Sequence, residues 1–299
     1  MKGVIGIDVG GTKIAFGAVS PAGDILARRT IATHPDDSFE QGIERLSAGV
    51  VALLDDIGWG ADEISGIGIG CPGPVDTERG VILSVYTLPG WSNRAFAAPM
   101  SERFGTPVRL ENDANAALLG EALAGAAKGK KSAVMLTLGT GVGGAVLLDG
   151  KIHHGANGAH PELGHVPVLM EGPECPCGIR GCYEVIAAGP VIAEAGQAIG
   201  LADSKAVFAA AAEGHVGAKE IIARVAKATE VAVWTILHTF LPEIILFGGG
   251  IADAHWPLFE AAAKKSLAAA TLAPDEGVTI ARATLSNDAG IVGAASLVL

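Results

Sequence analysis

The sequence predicts an α/β protein made of a duplicated unit, with a cleft between the two halves. The first observation is a strand, glycine turn, strand, turn and strand over residues 4–27, a pattern that is typical of an antiparallel meander. The second is the return of that pattern over residues 133–153. Such self-similarity indicates a duplication, although two unrelated hairpins would produce the same pattern.

The composition limits what such a protein does. The chain has 299 residues, of which 49% are hydrophobic and 18% charged, which is enough for two domains and a substantial core. A net charge of −11 without any Lys/Arg run argues against nucleic acid or an anionic membrane as the main partner. The first residues leave no room for a signal peptide. We therefore expect a cytoplasmic protein whose cysteines do not form structural disulfides.

The first half of the chain follows from its periodicity. Residues 4–8, 14–19 and 25–27 predict the three strands of the first meander. Residues 38–57 predict a helix, because their apolar side chains fall on one side at helical spacing. An apolar stretch at residues 64–70 predicts a fourth strand.

The second half repeats the strand pattern and then becomes helical. Its predicted elements are strands at 133–138, 145–148 and 151–153, an alanine-rich helical region at 186–238, strands at 243–247 and 278–280, and a closing helix at 289–299. The most apolar run, residues 231–247, contains His238, Pro242 and Glu243. This run therefore fits a buried helix and strand better than a membrane span.

Polar side chains crowd the turn between a predicted strand at 107–110 and a predicted helix at 116–123. They are Glu111, Asn112, Asp113 and Asn115. Helix capping explains one such residue well but does not explain the whole group. Ligands bind at this edge of α/β sheets, so a carboxylate in this turn is a candidate general base.

The glycine turn of the first meander is a candidate phosphate site. It places an acid at a strand end and small residues behind it: Asp8, Gly10, Gly11, Thr12 and Lys13. Successive backbone N–H groups form an anion-binding nest, and the acid can hold a magnesium ion directly or through water. A tight hairpin with an Asx turn is the simpler alternative.

Two later glycine clusters extend this interpretation. The turn at residues 139–144 supplies Gly139, Thr140, Gly141 and Gly143, and as the counterpart of the first turn it predicts a second phosphate contact. The run at residues 248–250 would let a flat ligand such as adenine approach the backbone. An ordinary strand-to-helix turn explains that run equally well.

A group of four residues predicts a structural zinc site. They are His165, Cys175, Cys177 and Cys182. Three thiolates and one imidazole suit a tetrahedral zinc ion with no open position for catalysis; buried free cysteines are the alternative, and that alternative fits the isolated Cys71. Glu162 and Glu184 bracket the group, and carboxylates held there can accept hydrogen bonds from the hydroxyls of a polyol. Glu162 could also be a surface acid or a partner of a metal ligand.

Together these motifs resemble the ROK family of sugar kinases, in the right order over the whole chain. The segments that carry the resemblance are residues 8–13, 111–115, 139–144, 162–165 and 175–184. The resemblance implies an α/β protein with a duplicated actin/hexokinase-like (ribonuclease H-like) fold of two domains with a cleft between them. It also implies an ATP–magnesium donor, a hexose acceptor and a homodimer. The domains would span residues 1–110, completed by the helix at about 288–299, and residues 111–287.

The resemblance also assigns roles to residues. Asp113 is the base that takes the proton from the sugar hydroxyl, and His165 serves both zinc and sugar. The implied sugar-binding residues are Gly73, Asn112, Asp113, Glu162, His165 and Glu184. The implied nucleotide-binding residues are Asp8, Gly10, Gly11, Thr12, Lys13, Gly139, Thr140, Gly141, Gly143, Gly248 and Gly249.

The identity of the acceptor stays open at this level. Glucokinase-like members have small residues where this chain has His160-Pro161, and the His-Pro-Glu run resembles the fructokinase branch. That branch tends to replace one zinc cysteine, yet all three are present here. Glucose is favoured, ahead of fructose, mannose or an N-acetylhexosamine. Other classes are a non-catalytic sugar sensor and an actin-like filament protein; the helix-turn-helix of the family's repressors is not expected.

Overall fold

The computed structural model describes residues 3–83, 88–272 and 277–299. The strands are β1 (Gly3–Val9), β2 (Lys13–Val19), β3 (Ile25–Ala32), β4 (Ile64–Cys71), β5 (Val75–Asp76), β6 (Val81–Ile82), β7 (Arg94–Ala95), β8 (Val108–Asn112), β9 (Ala133–Leu138), β10 (Val142–Leu148), β11 (Lys151–Ile152), β12 (Ile244–Gly248) and β13 (Thr279–Arg282). The helices are α1 (Phe39–Ile57), α2 (Ala97–Phe104), α3 (Asp113–Ala124), α4 (Glu184–Ala187), α5 (Gly189–Gln197), α6 (Ser204–Ala212), α7 (Val216–Phe240), α8 (Gly250–Ala254), α9 (Trp256–Ala269) and α10 (Ala289–Ser296). In the described part of the chain, none of the helices combines the length and the apolar character that a membrane span requires.

The first compact unit consists of Met1–Gly129, Ile152–Pro161 and Asn287–Leu299. Its five-stranded sheet has the order β3-β2-β1-β4-β8. β1 pairs antiparallel with β2, whereas β4 and β8 extend the sheet in parallel. The domain boundaries expected from the sequence, after residues 110 and 287, remain a prediction.

The second unit consists of Lys130–Lys151 and Glu162–Ser286. Its sheet has the order β11-β10-β9-β12-β13, again with an antiparallel second strand and parallel fourth and fifth strands. If the five strands of each main sheet are numbered in chain order, both sheets have the same spatial order: third, second, first, fourth and fifth. This shared topology confirms the predicted duplication and makes two unrelated hairpins an inadequate explanation.

The sheet of the first unit buries both faces. Ile5 and Ile7 pack with α1, whereas Val4, on the opposite face of β1, packs with Ile291 of α10, because successive strand residues point to opposite faces. A capping box at Ser38 starts α1, and Gly58, in the left-handed conformation, ends it. The predicted bounds of this helix agree with the structure.

The structure corrects two local predictions. The helix after β8 begins at Asp113 rather than near residue 116, so the polar group lies at the strand end and in the first helical turn. The second glycine turn is shorter than expected, because β10 already begins at Val142 and contains Gly143 and Gly144. A Cβ at Gly144 would lie 2.4 Å from the Cβ of Leu163. That glycine therefore serves close packing rather than the turn.

Candidate active site

The end of β8 places Asp113 at the first position of α3. Asn112 caps this helix, with its side-chain Oδ1 accepting hydrogen bonds from Ala114 N at 2.9 Å and Asn115 N at 3.2 Å. The Asp113 Oδ1 accepts from Asn112 Nδ2 at 3.0 Å and from Ala114 N at 2.8 Å. A carboxylate at a helix N-terminus is favoured by the helix dipole. The sequence placed these residues together correctly, and the structure shows that Asn112 is the cap.

Glu111, which precedes the cap, is buried. Its Oε1 accepts hydrogen bonds from Asn112 N at 2.9 Å and from Asn115 Nδ2 at 3.0 Å. Its Oε2 lies 2.9 Å from Nε2 of His154, which belongs to the same unit. The sequence interpretation assigned no role to His154, and a histidine in a polar loop carries no signal for such a contact.

Asp8, at the end of β1, is the second carboxylate of this region. The pKa of Asp8 is raised to about 6, mainly by burial and also by the charge of Asp113, while Lys13 opposes the shift. The start of α10 lies against Asp8, since a Cβ at Gly290 would be 2.6 Å from the Asp8 Cγ. Two neighbouring carboxylates, one with a raised pKa, form a site of excess negative charge. Such a site suits a divalent cation with oxygen ligands.

The first glycine turn is closed by backbone and side-chain hydrogen bonds. Gly10 N donates to Lys13 O at 2.9 Å, and the Thr33 hydroxyl donates to Gly10 O at 2.7 Å. Thr12 and Lys13 are exposed. The turn is therefore held at its base while its tip faces solvent, as a phosphate-binding turn requires. Gly73, in the loop after β4, has a φ of 90°.

In the second unit, the four predicted metal ligands converge. Their ligand atoms all lie within 4.8 Å of one another. The Cys177 and Cys182 sulfurs are 3.5 Å apart, and the Cys175 sulfur is 3.3 Å from Nδ1 of His165. Because Zn–S bonds of about 2.3 Å separate tetrahedral sulfur ligands by about 3.8 Å, this donor set fits a zinc ion.

His165 and Glu184 share one edge of this cluster. While Nδ1 of His165 faces Cys175, its Nε2 lies 3.9 Å from Glu184 Oε1. The other Glu184 oxygen, Oε2, accepts a hydrogen bond from Val142 N at 2.9 Å. The two ring nitrogens of His165 can therefore serve different partners. Glu162 is exposed.

The remaining glycines predicted to bind nucleotide lie at strand ends in the second unit. Gly139 and Gly141 form the turn between β9 and β10, where Gly189 N donates to Gly139 O at 2.9 Å. Thr140 at its tip is exposed. Gly248 ends β12, and Gly249 follows with a φ of 87°.

Cys71 takes no part in the metal cluster. It is fully buried at the end of β4, and burial raises the pKa of its thiol well above the usual value, with Asp113, Glu111 and Asp8 adding to the effect. A thiol in this environment stays protonated and inert. This agrees with the sequence interpretation of Cys71 as a buried free cysteine.

Comparison with known proteins gives consistent results over the whole chain. The model of the ROK family matches residues 4–299. The chain is 36% identical to a glucokinase from Thermotoga maritima, over 99% of this chain and 96% of the relative. A fructokinase from Zymomonas mobilis and an N-acetyl-D-glucosamine kinase from Vibrio cholerae are 31% and 30% identical, over 98% and 83% of this chain and 95% and 84% of theirs.

Solved structures show the same relationship. The ROK hexokinase from Thermus thermophilus matches with a TM-score of 0.86 and 33% identity, covering 98% of this chain and 96% of that one. A ROK family glucokinase from Streptomyces griseus, in complex with glucose and AMPPNP, matches with a TM-score of 0.80 and 30% identity over 99% of both chains. These matches confirm the predicted actin/hexokinase-like fold.

Proposed function

This chain belongs to the ROK family and is an ATP-dependent sugar kinase, and we propose that it phosphorylates the terminal hydroxymethyl group of a hexose. Glucose is the favoured acceptor. A relative that is 36% identical is a glucokinase, which supports that choice. Asp113 is the proposed general base.

The observation that carries the proposal is the pair of carboxylates in the first unit. Asp113 is held at the start of α3 by Asn112 and the Ala114 N–H group. Asp8 lies close enough for the Asp113 charge to raise its pKa. Phosphoryl transfer uses one carboxylate to accept the proton of the nucleophile and another to hold the magnesium ion that neutralises phosphate charge. This pair supplies both.

In the proposed reaction, the hexose hydroxyl attacks the γ-phosphorus of ATP, and the bond from that phosphorus to the β,γ-bridging oxygen breaks. ADP leaves and the sugar phosphate forms. The hydroxyl proton passes to Asp113, whose Oδ1 is occupied by Asn112 Nδ2 and Ala114 N. Gly10, Gly11, Thr12, Lys13, Gly139, Thr140, Gly141, Gly143, Gly248 and Gly249 are proposed to bind ATP.

Two metals complete the proposal. Asp8 would hold a magnesium ion, which neutralises phosphate charge when bound. The three cysteines and His165 would hold a structural zinc ion. Tyr183 supports this segment from inside, because its hydroxyl lies 2.8 Å from the Thr229 hydroxyl in the core. Zinc would thus stiffen the segment between Glu162 and Glu184.

The proposed sugar-binding residues are Gly73, Asn112, Asp113, Glu162, His165 and Glu184. Asn112 is fixed by its capping role, and Glu184 by the hydrogen bond from Val142 N. Side chains whose rotamers are fixed by other contacts discriminate well between different positions of a sugar hydroxyl. The relatives include a fructokinase and an N-acetyl-D-glucosamine kinase, so fructose and N-acetylhexosamines are alternative acceptors. Mannose is a further alternative.

A coupled assay of ADP release with a panel of hexoses tests the proposal. We expect turnover with glucose, and the ratio of kcat/KM values among glucose, fructose, mannose and N-acetylglucosamine identifies the acceptor. Sugar binding without ADP release would instead identify a non-catalytic sensor. The intact Asp8 and Asp113 argue against that second candidate.

Assembly and location remain part of the proposal. We propose a homodimer in the cytoplasm, as the family resemblance and the sequence imply. Sedimentation velocity over a range of protein concentrations would show a single species of about twice the 30.1 kDa chain mass. A monomer at all concentrations, or a polymer in the presence of ATP, would contradict it.

A further inference from the structure

We propose that Glu111 and His154 form a positioning pair that holds the start of α3, and with it Asp113, in the orientation needed for proton removal. The inference rests on the proposed function, since it assigns the pair a role in setting the geometry of the base. Both residues belong to the first compact unit. A chain of hydrogen bonds connects His154 to Asp113 through Glu111 and Asn112.

Glu111 is a fixed point within this unit. Only 4% of its surface is exposed, and a buried carboxylate is stable only if its oxygens accept hydrogen bonds. Oε1 has two donors, Asn112 N and Asn115 Nδ2, and Oε2 has His154 Nε2. A carboxylate accepts and does not donate, so His154 carries a hydrogen on Nε2. Three donors from different directions restrict Glu111 to one rotamer.

The two Oε1 donors flank Asp113 in the sequence. Asn112 donates its backbone N–H to Glu111 Oε1 and caps α3 through its side chain. Its Nδ2 also donates to the Asp113 carboxylate at 3.0 Å. A shift of Glu111 would therefore displace the cap and turn the Asp113 carboxylate. Displacements of about 1 Å at a reacting group cost as much as 100-fold in rate.

His154 supplies the contact from outside the β8–α3 segment. It follows β11 in the chain, 43 residues after Glu111, whereas the Oε1 donors are one and four residues from Glu111. The contacts from Asn112 and Asn115 lie within the β8–α3 segment and would let it move as a whole. The hydrogen bond from His154 connects that segment to another part of the unit. Its side chain is 31% exposed, so its substitution leaves no large cavity and its effect on positioning is separable from folding.

Two amide substitutions of different length test the pair. In His154→Gln, the side-chain amide nitrogen takes the place of Nε2 and can still donate to Glu111, whereas in His154→Asn the same amide is one carbon too short. The control is His153→Leu, which changes the adjacent exposed histidine. We expect kcat to fall about 10-fold or more in His154→Asn but to stay within about threefold of wild type in His154→Gln, with a smaller change in KM for ATP. His153→Leu should match wild type.

Hydrogen exchange of the backbone amides gives a second readout that does not depend on turnover. The Ala114 and Asn115 amides donate to the Asn112 cap, so they should exchange faster in His154→Asn and at the wild-type rate in His154→Gln. Equal kcat in all the variants, or equal exchange at these amides, would overturn the proposal. If the wild type phosphorylated no hexose, the proposed function would fail, and the exchange rates would still decide whether the pair holds the start of α3.

Discussion

The Glu184 carboxylate accepts a hydrogen bond from the Val142 backbone N–H at 2.9 Å. This contact joins the first turn of α4 to the glycine turn between β9 and β10. A residue proposed to bind sugar thereby also fixes a turn proposed to bind ATP. The sequence alone does not relate the two segments, because Val142 and Glu184 are 42 positions apart in the chain.

We predict that Glu184→Ala raises KM for ATP as well as KM for the sugar. Loss of a hydrogen bond to a charged group corresponds to about 1.5–3 kcal/mol, so each KM should rise about 10-fold or more. The matched control is Glu162→Ala, which removes an exposed carboxylate of the same unit and should raise KM for the sugar only. If KM for ATP is unchanged in Glu184→Ala, the contact has no role in ATP binding.

Asp113→Asn should separate binding from chemistry. Asparagine keeps the Oδ1 contacts of Asp113 but cannot accept the proton, so kcat should fall by roughly 10²–10⁴ while sugar binding, measured by calorimetry, stays near wild type. Asp203→Asn is the control, since Asp203 also accepts a hydrogen bond at a helix start, from Ala206 N, and asparagine caps equally well. An Asp113→Asn enzyme within a few-fold of wild type would remove Asp113 from the role of base.

Cys177→Ala tests the zinc site. The variant should lose the metal, melt at a lower temperature and show a higher KM for the sugar, because the segment between Glu162 and Glu184 loosens. Cys71→Ala is the control: it removes a buried sulfur and should lower stability through packing while keeping the full metal content. Elemental analysis of purified wild type that finds no zinc would contradict this prediction.

The raised pKa of Asp8 predicts a pH dependence of stability without magnesium. The carboxyl group holds its proton more tightly when folded, so its contribution is fully present below pH 3.8 and is lost as pH rises through about 6. The difference between the ordinary pKa of 3.8 and the folded-state pKa of about 6 corresponds to about 3 kcal/mol of unfolding free energy. Urea unfolding of wild type and Asp8→Asn between pH 4 and 7 measures it, and the variant should show the smaller decline with rising pH. Equal declines would show that Asp8 titrates normally.

Residues His160 and Pro161 should restrict the acceptor. Glucokinase-like family members have small residues at these two positions, whereas His160-Pro161 is a stiff, bulky pair. This pair should narrow the sugar pocket against large 2-substituents, so N-acetylhexosamines should be poorer substrates than glucose or fructose. His160→Ala/Pro161→Gly should raise kcat/KM for N-acetylglucosamine relative to glucose, as measured in the same assay. A wild-type preference for the N-acetyl sugar would show that the steric argument is wrong.

Hydroxyls that Glu162 binds should be required for turnover. A site that hydrogen-bonds a hydroxyl discriminates against an analogue lacking it by as much as about 10⁴-fold. In a series of deoxyglucoses, at least one should therefore show a large loss of kcat/KM with the wild-type enzyme. The same deoxyglucose should show a much smaller loss with Glu162→Ala. Equal losses in both enzymes would exclude Glu162 from that contact.

Much of the architecture was predictable from local patterns. The two meanders, α1 and the polar group at residues 111–115 all follow from side-chain periodicity and turn chemistry, which act over a few residues. α2 and α9 were not predicted. Neither helix starts with a side-chain N-cap, although Gly105 in the left-handed conformation ends α2. The helical region was predicted over residues 186–238, but its division into the four helices α4 to α7 was not.

The sequence by itself determined the duplicated α/β fold, the four candidate metal ligands and the acidic groups of Asp8 and Asp113. Only the tertiary structure decided that His154 meets Glu111, that Glu184 binds the Val142 N–H, and that Asp8 has a pKa of about 6. The physical reason is that these properties depend on contacts between segments distant in the chain and on burial. Neither leaves a periodic signal in the residues themselves.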